Sequence, residues 1–415
     1  MQFPDLLDRF LAYVRVHTQS DENSTDYPST PHQLDLSRRL RDELEAMGLS
    51  DAVINQWGYV TATLPSNQAG SGPAIALIAH VDTSPDVSGE NVNPRIHREY
   101  DGGDIDLAGD GRWILKVADN PHLARQKGKT LITTDGSTLL GADDKAGIAE
   151  IMSALQYLIE HDEIPRPRIR VLFTPDEETG RGTEHITARE INADFGYTVD
   201  GEKLGEVEDE TFCADSVDLT ITGINVHPGY AKGKLLNAIK LAAEIIASLP
   251  KDRLSPETTE KRQGYLHPHH IEGGSEKALV KFLVRDFTEE GLLTHEKELR
   301  EMVDRVIADH PGATADFKVI ESYRNMKTVL DRHPEVMEKA MEAVRLAGVE
   351  PRRNQIRGGT DGARLSFMGL PTPNLFTGGS NFHSRYEWVT LEDMHAAATV
   401  IVHLMSLWGK EWQNA

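Results

Sequence analysis

The chain has 415 residues, a formal net charge of -22, 39% hydrophobic and 27% charged residues, and a single cysteine. Its length is too great for one comfortable core and calls for about two or three domains. Its acidity argues against nucleic acid as a partner. The lone Cys213 excludes an intrachain disulfide, reads as a small buried apolar residue, and fits a reducing compartment, so the expected location is the cytoplasm.

Phe3, Leu6, Leu7, Phe10, Leu11 and Val14 recur at helical spacing, which predicts an amphipathic N-terminal helix. Charges interrupt its apolar runs, unlike a signal peptide, and the chain lacks a charge-free run of about 18 apolar residues that would span a membrane. LDLSRRLRDELEAMGL predicts a second helix ending at Gly48. AIALIAHVDT reads as a strand with a polar end, and 96–134, rich in Gly and Asp, as a hairpin excursion. AGIAEIMSALQYLIEH places Ile148, Ile151, Met152, Leu155, Leu158 and Ile159 on one helical face. IRVLFTPDEE and FGYTVDG repeat the pattern of an apolar run turning acidic.

Strands alternating with helices predict an α/β fold with a mainly parallel sheet flanked by helices. After about Glu210 the pattern changes. VDLTITGINVH, KALVKFLVRDF and ADFKVIESYRNM read as strands, and KLLNAIKLAAEIIASLP and HEKELREMVDRVIADH as amphipathic helices. HPEVMEKAMEAVRLAGV then returns to helix and PNLFTGGSNFH to an apolar run with a polar end. The expected organisation is therefore a larger domain of residues 1–211 and 324–415 with a small α/β domain, 212–323, inserted into it. The HPHH stretch, His267 to His270, reads as loop, because adjacent residues rarely face one ion together.

Four strand-like runs end in metal-ligand residue types: His80 with Asp82, Glu177 with Glu178, Asp200, and His383; Asp143 opens the helix after LLGA. In open α/β sheets sites form beyond the carboxyl ends of the strands, so residues scattered in sequence can converge there. Taken singly, HVD is compatible with a structural histidine and DEE with a solvated acidic turn. Jointly, two imidazoles and several carboxylates suit zinc, with manganese or cobalt as alternatives, and exceed the needs of one ion. The chain has no G-x-G-x-x-G, G-x-x-x-x-G-K-[ST], H-E-x-x-H or G-x-S-x-G motif.

AHVDT, LLGADDKAGIAEIM, FTPDEE, YTVDG, NVHPG, FLVRDF, IRGGTDGARLSFMGLPTPNLFTGG and NFH resemble the peptidase T family of tripeptide aminopeptidases. That group lies within the co-catalytic zinc metallopeptidases, together with carboxypeptidase G, acetylornithine deacetylase and aminoacylase. The resemblance implies two zinc ions per subunit: His80 and Asp200 on one, Glu178 and His383 on the other, and Asp143 bridging. It also implies a cis peptide between Asp143 and Asp144, Asp82 accepting a hydrogen bond from His80, and Glu177 as general base.

The resemblance further implies a homodimer in which 1–211 with 324–415 is the catalytic domain and 212–323 the lid and dimerisation domain, with His227 in NVHPG reaching the other subunit's active site to stabilise the oxyanion; the plain alternative is a loop histidine before a proline. Arg285 and Arg357 are candidates to clamp the carboxylate of a tripeptide substrate, although an ion pair to a strand neighbour would explain Arg285 equally well. Asn381 is a candidate for a substrate backbone contact. Around Asp200 the sequence GEKLGEVEDE has less glycine than the family, and Glu202 adds a carboxylate near the metals. The competing reading is a related amidohydrolase acting on N-acyl amino acids or dipeptides.

Overall fold

The computed structural model describes residues 1–412 and divides them into two compact units. In chain order the strands are β1 (Val53–Ile54), β2 (Val60–Leu64), β3 (Ile75–His80), β4 (Arg95–His97), β5 (Ile105–Asp106), β6 (Ile114–Leu115), β7 (Leu131–Thr133), β8 (Ile169–Thr174) and β9 (Phe195–Gly201). They continue as β10 (Glu206–Glu210), β11 (Cys213–Thr222), β12 (Tyr265–Gly273), β13 (Lys277–Asp286), β14 (Thr314–Tyr323), β15 (Arg352–Gln355), β16 (Asn374–Phe376) and β17 (Trp388–Thr390). The helices are α1 (Leu6–Val14), α2 (Gln33–Ala46), α3 (Ala142–Glu160), α4 (Ala188–Ile191), α5 (Ala238–Ala247), α6 (Glu289–Ala308), α7 (Lys327–Leu330), α8 (Pro334–Leu346), α9 (Asp361–Phe367) and α10 (Leu391–Trp412).

The larger unit comprises 1–209, 326–354 and the described residues from 360 on. Its eight-stranded sheet runs β1-β2-β8-β3-β9-β16-β10-β15. The central neighbours β8, β3, β9 and β16 are parallel, whereas β1–β2, β2–β8 and β16–β10 are antiparallel. Burial on both faces explains the unbroken apolar character of β3. Ile75, Leu77 and Ala79 join the main core with α1, α3, α8 and α10, while Ala76 and Ile78 pack on the other face with Leu172, Ile191, Leu365 and Leu370. Helix α10, absent from the elements read from sequence, adds Met394, Ala398, Ile401 and Met405 to that main core. Helix α3 lies so close to β9 that a Cβ on Gly147 would collide with the Val199 carbonyl. The excursion is two pairings, β5 with β6 and β4 with β7, and β7 also pairs with β17.

The smaller unit comprises 210–325 and 355–359. Its sheet, β12-β13-β11-β14, is antiparallel throughout, with Val217, Leu219, Ile221, Val280, Phe282 and Val284 packed against Leu241, Ile245, Leu299 and Val303 of α5 and α6. Cys213 is buried at the start of β11. HPHH is not a loop: it lies in the edge strand β12, whose register shifts between Pro268 and His270. Proline is tolerated at an edge bulge, and this one obscures the strand's pattern. Residues 355–359 belong to this unit rather than to the larger one. Ile356 N donates to Glu210 O, and the Arg357 guanidinium donates to Lys261 O, Gln263 O and Thr259 Oγ1.

Candidate active site

The parallel register brings the carboxyl ends of β3, β8 and β9 side by side, and the loops that follow carry the polar residues inward. His80 ends β3 and Asp200 is the penultimate residue of β9. Glu177 and Glu178 follow β8 in a turn whose Asp176 has φ 58. The Asp176 carboxylate anchors that turn by accepting from Ser29 N at 2.6 Å, Ser29 Oγ at 2.5 Å and Gln33 Nε2 at 2.7 Å. Asp143 opens α3, and the Asp143–Asp144 peptide is cis. His383 has φ 58 and lies in the loop after β16.

These residues meet in one cluster. His80, Asp143 and Asp200 offer ligand atoms within 4.8 Å of one another, as do Asp143, Glu178 and His383, so Asp143 is common to both groups. The His80 ring faces Asp143 Oδ1 with Nε2 at 2.9 Å, and His383 Nε2 lies 3.1 Å from Asp143 Oδ2 and 2.9 Å from Glu178 Oε2. The opposite ring nitrogens are held from behind: His80 Nδ1 lies 3.1 Å from Asp82 O and His383 Nδ1 3.3 Å from Asp86 Oδ2. Each ring thereby presents Nε2 to the cluster.

The Asp82 carboxylate also has a second role. Oδ1 lies 3.4 Å from His80 Nδ1, and Oδ1 and Oδ2 accept from Glu177 N at 3.0 Å and Glu178 N at 3.2 Å. Asp82 therefore faces the imidazole with both its main-chain carbonyl and its carboxylate, and holds the acidic turn with the carboxylate.

The electrostatics reveal crowded negative charge. Burial, and after it the Asp143 charge, pushes the Glu178 carboxyl up to about 8; burial pushes Asp200 up to about 6 and Glu177 well above the usual range. His383 is pushed up to about 12: burial lowers it, but Asp143 and Glu178 override that. Glu178 Oε1 is buried with no hydrogen-bond partner. Two imidazole nitrogens and three inward carboxylates with excess negative charge fit two divalent cations of nitrogen-and-oxygen preference.

The remaining candidates have other surroundings. Asn381, φ 59, donates from Nδ2 to Tyr386 O at 3.1 Å. Glu202 lies 3.5 Å from Lys203 and is half exposed. In the smaller unit, His227 is exposed and its Nδ1 accepts from Gly229 N, which leaves Nε2 as the donor. Arg285 donates from Nη1 to Asp215 O and Val284 O and stacks on Tyr323, instead of pairing with Asp286, which binds His295. The Arg357 guanidinium, besides its four acceptors, Thr259 O among them, lies over Phe212 and Tyr265.

Sequence reasoning missed Asp86, Asp176, Asn374 and Glu387. Asn374 Oδ1 accepts from Thr198 Oγ1 and from Asp200 N, while its Nδ2 donates to Glu208, so it sets the end of β9. Asp176 and Asn374 lie within the motifs already noted, and Asp86 lies just beyond AHVDT; nothing local marks Glu387.

A two-sided α/β sheet with this donor set at its carboxyl edge defines a metal-dependent hydrolase. Comparison with known proteins narrows the class. Residues 134–407 match the model of peptidase family M20/M25/M40. A relative from Caldanaerobacter subterraneus named Peptidase T is 47% identical over 406 residues, covering 98% of this chain and 99% of its own. A Peptidase T of Bacillus subtilis is 46% identical over 400 residues, covering 96% and 97%. The crystal structure of aminopeptidase PepT from Bacillus cereus superposes with a TM-score of 0.75 at 23% identity, over 98% of this chain and 99% of that one. A Bacillus subtilis protein described as a dinuclear metal binding peptidase superposes with a TM-score of 0.64 at 16% identity, over 97% of each chain. The chain belongs to peptidase family M20/M25/M40.

Proposed function

We propose that this chain is a metal-dependent aminopeptidase that removes the N-terminal residue from tripeptides. The observation that carries the reading is Asp143, one buried carboxylate flanked by His80 and Asp200 on one side and by Glu178 and His383 on the other. The relatives named Peptidase T, and the likeness to a Staphylococcus aureus structure described as a tripeptidase, support the substrate class.

In this reading His80, Asp143 and Asp200 would hold one zinc ion, and Asp143, Glu178 and His383 the second, with manganese or cobalt as alternatives. Such ions would supply Lewis acidity, toward the peptide carbonyl and the attacking water. Glu177 takes the proton from that water and delivers it to the leaving amine. Burial raises its carboxyl well above the usual carboxylate range, which makes it a stronger proton acceptor than an exposed glutamate. Asp82 fixes the main chain of Glu177 and Glu178 while this happens.

His227 donates from Nε2 to the developing oxyanion, supplied by a second copy of the chain, so the working form is a homodimer. Of the two arginines, Arg285 is the better carboxylate clamp, since it serves two main-chain acceptors where Arg357 already serves four. Asn381, Ser384 and Tyr386, beside His383, line a groove of about 440 Å³ with Ile114, Lys116, Asp119 and Asn120, a suitable place for substrate. A buried, unbridged Cys213 agrees with action in the reducing cytoplasm.

The test is a substrate series on purified, zinc-loaded protein: a free tripeptide, the same peptide N-acetylated, and an N-acetyl amino acid. Release of one residue from the free tripeptide alone is expected. Hydrolysis of the N-acetyl amino acid instead would make the chain an amidohydrolase.

A further inference from the structure

Asp143 is gripped by its main chain as well as its side chain, and the grip comes from Glu387. The Glu387 side chain is fully buried. Its Oε2 accepts from Leu140 N and Gly141 N, both at 2.8 Å, and its Oε1 accepts from Asp143 N at 3.0 Å. The opening of α3 needs such a partner. The first amides of a helix have no acceptor inside it, and the capping residue here is Gly141, in the left-handed region at φ 78, with no side chain to offer. Asp143 and Asp144 are themselves non-helical within that opening, so the local helix does not fix them.

The same loop carries His383. It is closed at its base by the reciprocal pair Ser380 N to Trp388 O at 2.9 Å and Trp388 N to Ser380 O at 3.1 Å. From it His383 Nε2 meets Asp143 Oδ2, and four residues on, Glu387 holds the Asp143 amide. Antiparallel pairing of β17 with β7 brings this loop to the segment that leads into α3.

We infer that Glu387 is a positioning residue for the Asp143 carboxylate. Through three amides it locks the Asp143 main chain to the His383 loop and so fixes how that carboxylate is shared between the two donor groups. It touches neither substrate nor ion. The inference rests on the dimetal reading above. Partners of this kind, one step behind the ligands, typically change metal affinity or activity about 10–100-fold when removed.

The test compares wild type, E387Q and E387D for metal content per chain against graded chelator, and for the visible absorption of the cobalt-substituted protein, with far-UV circular dichroism as the control for folding. E387Q is isosteric but turns an amide NH₂ toward backbone donors. It is expected to fold, to bind metal about 10-fold or more weakly, and to show altered cobalt absorption, with kcat lowered and KM little changed. E387D keeps the charge on a shorter arm and should fall between. If E387Q does not fold, E387D decides alone: weakened metal binding supports the role and wild-type binding overturns it. Two ions held by E387Q with wild-type affinity and spectrum refute the inference and leave the dimetal reading intact. Wild type that binds no metal removes both.

Discussion

Glu208 offers a stability test with a calculable sign. It lies on β10, only 8% exposed, where its Oε2 accepts from Asn374 Nδ2 at 2.8 Å. Burial raises its carboxyl from the usual 4.5 to about 8; the Asn374 bond opposes this, and the charges of Glu206, Asp200 and Glu202 add to it. Between those two values the folded chain binds more protons than the unfolded one, so stability falls as pH rises from 4.5 toward 8. At about 1.4 kcal/mol per pH unit the full window from 4.5 to about 8 amounts to about 5 kcal/mol as an upper bound. Gln at 208 keeps a carbonyl for Asn374 and cannot ionise. In urea denaturation with chelator present, E208Q should match wild type near pH 5 and exceed it by about 2–4 kcal/mol above pH 8. An equal difference at both pH values, or a less stable E208Q in alkali, would refute the reasoning.

Three further outcomes follow from the same geometry. E177A should retain both ions on metal analysis and lose turnover, because Glu177 holds the proton rather than a ligand position; retained activity would remove it from that role. H227A should lower kcat by about 100-fold with a smaller change in KM, as removal of an oxyanion donor worth about 3 kcal/mol does; an unchanged kcat would return it to a loop histidine. G147A places a methyl group against the Val199 carbonyl, so α3 must withdraw from β9. Overpacking of this kind costs about 1–3 kcal/mol, and the shift of Asp143 relative to Asp200 should cut kcat by up to about 100-fold; a variant with wild-type melting temperature and kcat would contradict the flush packing.

Much of this site was legible because its chemistry sits at strand ends. β3 reads as a continuous apolar run since both its faces are covered, and the polar residue that breaks the run, His80, is also the one that reaches the cluster. Likewise Asp200 breaks the run near the end of β9, whereas β8 carries Arg170, ends in Thr174 and delivers Glu177 and Glu178 from the turn beyond. What stayed hidden acts through the main chain. Glu387 serves amides some 246 residues away, and a main-chain partner leaves no mark in residue types. Asn374 works likewise on Asp200 N. Asp82 was visible as a residue but not in its division of labour, because both its carbonyl and its carboxylate point at neighbours of the site. Strand β12 was masked by Pro268 and the bulge beside it. The assignment of 355–359 to the smaller unit depends on hydrogen bonds from Arg357 that its sequence context, IRGG, does not announce.

The central claim is that Asp143 is shared by two ions. Anomalous diffraction at the zinc edge, on crystals of zinc-loaded protein, tests it directly. Two peaks about 3.5–4 Å apart are expected, one beside His80 and Asp200, the other beside Glu178 and His383, with Asp143 between. A single peak, or peaks away from Asp143, would contradict the account.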